Sequence, residues 1–139
     1  MCLILSKYKK NSTLFEVAKE DIICYKILKK DSEGYFTPYR DFAVDMDSKI
    51  LKAEGEIKVL HFLSAVPGKG KMIEGGVIHT FELFEDADEE IFCSGAAPGI
   101  YEIFKCIIPK GTKYYKGRFG TLSSYGSLCI KFVEKCMIS

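Results

Sequence analysis

The sequence predicts an α+β fold, namely a mainly antiparallel β-sheet with one or two helices in a single domain over residues 1–139. Three observations predict it. Hydrophobic residues make up 47% and charged residues 28% of the 139 residues, as in globular chains. Several short runs alternate apolar and polar side chains, which is typical of half-buried strands. One acidic segment instead carries apolar residues at helical spacing.

The first long strand is predicted over residues 22–28, IICYKIL, which are rich in β-forming residues. The following DSEG is typical of a turn, after which YF continues the strand. Pro38 cannot donate a ladder hydrogen bond, so residues 37–41 are expected in a loop or at an edge. FAVDM, from Phe42, is predicted as a short strand and KILKAEG, from Lys49, as its partner.

The middle of the chain is predicted to contain a loop, a strand and a helix. Residues 63–76 hold one proline and four glycines, so they are predicted to form a loop, and GKGK within it a mobile surface loop. VIHTF is predicted as a strand. A helix is predicted from about residue 81 to 92, with Thr80 as its N-cap. Glu82 and Glu85 would be the acids near its N-terminus. Its apolar face would consist of Phe84, Ala87 and Ile91.

The last third is predicted as two strands around a turn-rich middle. IYEIFKCII alternates in the manner of a strand and is ended by Pro109 and Gly111. TKYYKGRF is predicted as a short extended segment and SLCIKFV as the final strand.

Composition excludes several classes of function. A net charge of +1 argues against a binder of long nucleic acid. No apolar run approaches the ~20 residues of a membrane helix, and the first residues do not form a signal peptide, so we expect no membrane association and a cytoplasmic location. The six cysteines lack C-x-x-C spacing, so we expect reduced core cysteines, no metal site and no cofactor.

A basic, aromatic segment suggests an anionic ligand. Residues 105–133 hold five lysines and one arginine but no acid. Lysines at sheet edges oppose aggregation, which would explain Lys105 and Lys131. Protection of a sheet edge explains less well the denser cluster of lysines and tyrosines over residues 113–116, which is followed by Arg118. We therefore expect its members to supply positive charge and a stacking ring for a ligand: Lys113, Tyr115, Lys116 and Arg118.

Arginine usage indicates a second part of the same site. The chain has two arginines, Arg40 and Arg118, against eighteen lysines. A guanidinium grips phosphate and stacks on rings. Arg40 follows Tyr39 in the aromatic segment YFTPYRDF, and a ring beside a guanidinium suits a nucleotide. Salt bridging of Arg40 with a nearby aspartate is an equally good explanation.

Two other features have structural explanations that compete with functional ones. His79 could carry a proton or donate to a ligand, but a partly buried, hydrogen-bonded strand histidine is the simpler interpretation. The acids of the predicted helix could attract a metal ion, but a solvated helix face explains them better.

Four segments in order resemble small single-domain proteins of bacteriophages and prophages: DIICYKILKK, YFTPYRDF, GGVIHTFELFEDADEE and YEIFKCIIPKGTKYYKG. Within that group the chain is most similar to the Thoeris anti-defence sponges. These phage products capture cyclic ADP-ribose isomers made by host immune enzymes, and some members hold cyclic di- or trinucleotides. The resemblance implies a homo-oligomer in the bacterial cytoplasm that binds a small anionic nucleotide without catalysis. The ligand candidates it matches are Arg40, His79, Phe81 and Arg118.

The leading hypothesis is therefore a phage immune-evasion protein that sequesters a cyclic nucleotide or cyclic ADP-ribose signal without cleaving it. A second resemblance supports an alternative, because strand–IPKGTKY–strand is similar to the closing hairpin of ADP-ribosyltransferases. Glu102 and His79 would then be the functional pair of an NAD-consuming enzyme, although neither an E-x-E nor an S-T-S segment is present. The third hypothesis is an accessory module that binds a host protein through its aromatic surface.

Overall fold

The computed structural model describes residues 2–5, 15–38, 43–63, 69–97, 99–119 and 122–136. These residues form one α-helix and thirteen strands of a single sheet, in which every strand pairing is antiparallel. The predicted α+β fold with a mainly antiparallel sheet is therefore confirmed. The described part of the chain contains no helix that is long and apolar enough to cross a membrane.

The elements in chain order are β1 (Cys2–Leu5), β2 (Glu16–Val17), β3 (Ile22–Asp31), β4 (Gly34–Phe36), β5 (Ala43–Val44), β6 (Ile50–Lys52), β7 (Lys58–Leu63), β8 (Lys69–Glu74), β9 (Ile78–Phe81), α1 (Phe84–Ser94), β10 (Tyr101–Ile108), β11 (Lys113–Phe119), β12 (Leu122–Ser127) and β13 (Cys129–Lys135). The strands are ordered β6-β13-β10-β3-β9-β12-β11-β1-β8-β7, with β2 beside β11 and the pair β4–β5 beside β3.

The predicted strand over residues 22–28 is confirmed as β3, which continues to Asp31. It pairs with β10 from Ile22 opposite Ile108 to Lys29 opposite Tyr101. The predicted turn follows, where the Glu33 amide donates to the Asp31 carboxylate at 2.7 Å, and β4 then pairs back onto β3.

Side-chain alternation gives this sheet two faces. Residues that are paired in register share a face, so Leu28 and Glu102 lie on one side of the sheet and Ile27 and Ile103 on the other. We call the first side the inner face; its core contains Cys24, Leu28, Ile78, Phe104, Cys106, Ile108, Tyr125, Ile130 and Phe132. We call the second side the helix face, because α1 packs there against Ile27, Phe81 and Ile103 through Ala87.

The helix begins later than the sequence predicted. Thr80 and Phe81 are the last residues of β9, paired with Tyr125 and Ser124 of β12, so the chain cannot turn into a helix there. Leu83, not Thr80, occupies the N-cap, and no side chain caps the helix. The predicted N-cap was therefore wrong. The helix ends at Ser94 and is followed by Gly95, whose φ of 71° is the left-handed conformation common after helices.

The predicted loop over residues 63–76 was wrong for Leu63 and for residues 69–74, which lie in strands, and right for Gly75 and Gly76, which connect β8 to β9. β7 and β8 pair from Lys58 opposite Glu74 to Leu63 opposite Lys69, so most of GKGK lies in β8 instead of a mobile loop. Gly68 falls outside the described residues. Main-chain hydrogen bonds form the ladder, so Gly70 pairs with Phe62 of β7 without needing a side chain.

Two further pairings differ from those predicted. The KILKAEG segment contains β6, which pairs with β13, while β5 pairs with β4. In the last third, β10 ends at Ile108 as predicted, and TKYYKGRF is extended as β11. The segment that follows β11 is a strand, β12, where the sequence suggested turns. The last predicted strand is confirmed as β13.

Candidate ligand cavity

A cavity lies between the C-terminal half of α1 and the helix face of the sheet, and we call it the α1 cavity. Its apolar lining consists of Ile27, Pro38, Phe81, Ile91 and Tyr101. The cavity is partly open to solvent. Its outline contains about 440 Å³, of which about 40 Å³ is space that the centres of water-sized molecules can occupy. A ligand could therefore bury one ring-sized group there and would leave the rest across the mouth.

The sheet side of the α1 cavity is aromatic. His79 and Phe81 lie two residues apart on β9 and share the helix face, with ring centroids 4.8 Å apart and planes at 85°. Phe81 is fully packed, so its position is fixed by the core. Tyr101 lines the cavity from the start of β10. Rings in such fixed positions favour a planar ligand group.

His79 is a neutral group at pH 7. Burial, helped by the charge of Lys26, lowers the pKa of its imidazole well below 6.5. Its Nε2 is shielded from solvent. A neutral imidazole has one donor and one acceptor nitrogen, so His79 suits hydrogen bonding to a polar ring edge and gives no positive charge to a phosphate.

The helix side of the α1 cavity is acidic. Glu90 lines it, and α1 carries five acids without a lysine or arginine. Burial, with the negative charges of Glu89 and Glu85, raises the pKa of Asp86. This flank favours hydrogen-bond donors such as amines over phosphates. The register pairs Lys29 with Tyr101, which places this cation on the helix face.

Lys26 is a functional candidate that our sequence reasoning missed. It borders the α1 cavity within β3, but its register partner Phe104 belongs to the inner-face core, so its side chain lies on that face. The side chain is only 6% exposed, and burial lowers its pKa from 10.5 to about 8. Within the described residues its ammonium makes no ion pair or hydrogen bond. The position of this lysine in the middle of the apolar run IICYKIL could have indicated that its side chain is buried.

Two of the predicted ligand residues meet in the α1 cavity. His79 and Phe81 both line it. Tyr39 and Arg40 fall outside the described residues, but Pro38, which directly precedes them, lines the cavity. The roles predicted for these four residues remain predictions.

The other four predicted residues do not line the α1 cavity. Strand alternation in β11 puts Lys113 and Tyr115 on one face and Lys116 and Arg118 on the other. Tyr115 is only 5% exposed and packs beside Phe15, whose ring also lies 4.8 Å from the Lys113 ammonium. The period-two pattern of KYYKGRF could have shown this division.

Lys116 and Arg118 lie on the inner-face side of β11. Lys116 lies 3.8 Å from the carboxylate of Glu82, so it has an acidic partner from a distant segment. Arg118 is exposed, and its main chain pairs with Ile4 and Ser123. Any anion held by this pair would be on the opposite side of the sheet from His79.

Glu102 and His79 do not share a site. Glu102 lies on the inner face, where the Tyr35 hydroxyl donates to it at 2.6 Å and Lys135 and Lys30 lie 3.4 and 3.6 Å away. Burial raises the pKa of Glu102, but the Tyr35 hydrogen bond and the lysine charges outweigh it and lower the pKa overall. The pair suggested for an ADP-ribosyltransferase-like enzyme is therefore divided by the sheet.

Neither a metal site nor a comparison with known proteins points to a function. Among the described residues, no group of three or more histidine, cysteine, aspartate or glutamate side chains is placed to hold a metal ion. Comparisons of the chain with protein-family models, with curated proteins and with solved structures find no match.

Proposed function

We propose that the protein binds a small nucleotide in the α1 cavity and leaves it chemically unchanged. The ligands we favour are cyclic nucleotides and cyclic ADP-ribose isomers, and the role is sequestration of an immune signal during phage infection. One observation carries the proposal: the cavity combines a rigid aromatic wall, His79 and Phe81, with an acceptor carboxylate, Glu90. The segment resemblance to anti-defence sponges supports the choice of ligand and role.

The base is the part of the ligand that fits between the aromatic side chains of the cavity. Its ring would pack between Tyr101 and Phe81, and stacking of one base on an aromatic side chain contributes ~1–3 kcal/mol. Glu90 would accept a hydrogen bond from an exocyclic amine. The neutral imidazole of His79 would bond to a second polar atom on the ring edge.

The phosphates would lie across the mouth, away from α1. The acids of α1 repel a phosphate, whereas Lys29, the register partner of Tyr101, is a cation on the same face of the sheet. The chain that follows Pro38 contains Arg40, whose predicted role is to grip this part of the ligand. A ligand with charge at one end and a ring at the other matches this division.

Two side chains that could take part in cleavage, Ser94 and Glu102, are engaged in other contacts. The Ser94 hydroxyl donates to the Ile91 carbonyl at 2.6 Å and accepts from the Ala96 amide, so its hydrogen bonds stabilise the end of α1. Glu102 lies on the other side of the sheet and is held by Tyr35 and two lysines. Neither group is arranged as a nucleophile or base toward a ligand in the cavity.

Calorimetry with cyclic ADP-ribose isomers and cyclic dinucleotides tests the proposal. Ser94→Trp would place an indole at the mouth, so we expect it to weaken binding at least about tenfold. Cys93→Trp is the matched control, because Cys93 is exposed on α1 and does not line the cavity. We expect that variant to bind as the wild type does.

Ligand recovered after heating should have its original mass. Failure of every ligand to bind would refute the proposal, as would equal binding by the two tryptophan variants. Recovery of a cleaved ligand would refute sequestration and favour an enzyme.

A further inference from the structure

Part of the helix face is not covered by α1. The helix packs over Ile27 and Ile103, but four residues earlier in β3 Ile23 is 52% exposed. At ~3.3 Å per residue, Ile23 lies about 13 Å along the strand from Ile27. Its register partner is Ile107, which is in turn paired with Lys131.

This uncovered region is apolar with basic edges. Ile50 pairs with Lys131 and is 45% exposed, and Val133, at the β-bulge of β13, is 52% exposed. Lys105 precedes Ile107 by two residues in β10, so it lies on the same face, and its partner in β13 is Glu134. We call this region the bare patch and define it as Ile23, Ile50, Lys105, Ile107, Lys131 and Val133. An exposed apolar group of this kind marks an interaction surface.

One flank of α1 has the complementary character. Phe92 is 86% exposed, the highest value among the exposed large hydrophobic residues described. Glu85, Asp88 and Glu89 precede it by seven, four and three residues, so they share its side of the helix. We call this group the Phe92 flank. It is an aromatic side chain surrounded by carboxylates, and it is separate from Glu90 at the α1 cavity.

We propose that the Phe92 flank of one copy of this chain docks on the bare patch of a second copy. Phe92 would pack among the isoleucines, and the three carboxylates would face Lys105 and Lys131. Buried aromatic anchors dominate the energy of most interfaces. Complementary charge then sets the orientation.

The position of the two surfaces favours a closed dimer. Both lie on the helix face of the same sheet, one on α1 and the other beyond it. A two-fold axis would therefore let each helix cover the bare patch of the other copy, so both apolar surfaces are removed from water at once. A single copy leaves both exposed.

Sedimentation analysis of the full chain over a wide range of concentration tests the proposal. We expect a dimer for the wild type and at least a roughly 30-fold weaker dimer for Phe92→Ser, the size expected for loss of a hot-spot residue. Val17→Ser is the control, because Val17 is an exposed apolar residue on β2 that belongs to neither surface. It should dimerise normally, and thermal melts should show that both variants fold.

A charge exchange tests the pairing itself. Glu89→Lys and Lys131→Glu should each weaken the dimer, and the double variant should restore most of it. A wild type that stays monomeric at every concentration overturns the proposal. An unaffected dimer in Phe92→Ser, or no recovery in the double variant, overturns it equally.

Discussion

Replacement of Lys26 by methionine should stabilise the protein. The Lys26 side chain is 6% exposed within an apolar core, and its ammonium has no described partner. Methionine has a similar length and no charge, so Lys26→Met keeps the packing and removes the cost of a buried ammonium. The expected effect depends on pH, because the lysine itself can lose its proton.

The size of the effect follows from the pKa of Lys26. Burial lowers that pKa from 10.5 to about 8 on folding. Since one pKa unit corresponds to 1.36 kcal/mol, the charged lysine destabilises the fold by about 3 kcal/mol. Below pH 8 the lysine is protonated in both states, so the whole penalty applies.

The penalty disappears at high pH. Between about 8 and 10.5 the folded protein has lost the Lys26 proton while the unfolded chain still holds it, so stability rises with pH. Above this window both states are neutral at Lys26. The buried Cys24 thiol, whose pKa burial raises to about 11, lowers stability over part of the same window. Because the charge of Lys26 also lowers the pKa of Cys24, this effect cancels only in part, and the comparison is cleanest below pH 9, where the thiol is protonated in both states.

Urea denaturation from pH 7 to pH 10.5 measures this difference. Lys26→Met should exceed the wild type by up to about 3 kcal/mol in free energy of unfolding at pH 7, and its advantage should shrink as the pH rises. Lys19→Met is the control, because Lys19 is exposed and its replacement should give a flat difference. A Lys26→Met variant that is less stable at pH 7, or whose advantage does not change with pH, would refute the reasoning.

Two other substitutions test the packing described above. Tyr35→Phe removes the hydrogen bond to Glu102, so urea denaturation should show a loss of about 1–2 kcal/mol at pH 7. The pKa of Glu102 is lowered on folding, so the stability linked to this carboxylate is lost as acid protonates it. The difference in free energy of unfolding between the wild type and Tyr35→Phe should therefore become smaller at acidic pH. Gly76→Ala should cost well over ~2 kcal/mol, since residue 76 has a left-handed φ and a new Cβ would meet the Ile57 backbone. Gly95→Ala has the same φ of 71° but open space around it, so its loss should stay near ~1–2 kcal/mol, and equal losses would contradict the steric argument.

Local patterns in the sequence were enough to predict the sheet but not its full extent. The alternation in β3 and β10 predicted those strands, and proline ended β10 where expected. The β7–β8 hairpin was missed because glycine and proline outweighed the weak strand pattern of that segment. β8 also pairs with β1, which is distant in the sequence, and local propensity does not report such pairing. The late start of α1 has the same cause, since Thr80 is held by β12.

The candidate site was predictable to a smaller extent. His79 and Phe81 were identified by residue type, and their shared face follows from strand alternation. The same alternation divides Lys113 and Tyr115 from Lys116 and Arg118, and applying it would have shown two separate surfaces. Tyr101 and Ile91 come to the α1 cavity from other elements. Only the packing of α1 across β3 and β10 brings them there, and no spacing in the sequence encodes that packing.

The most direct test of the α1 cavity is a map of amide chemical shifts during titration with a cyclic ADP-ribose isomer. If the ligand binds in the α1 cavity, the largest shifts should fall on His79, Phe81, Ile91 and Tyr101. Shifts confined to Lys116, Arg118 and their neighbours on the inner-face side would contradict binding there, because they would place the ligand on the opposite side of the sheet.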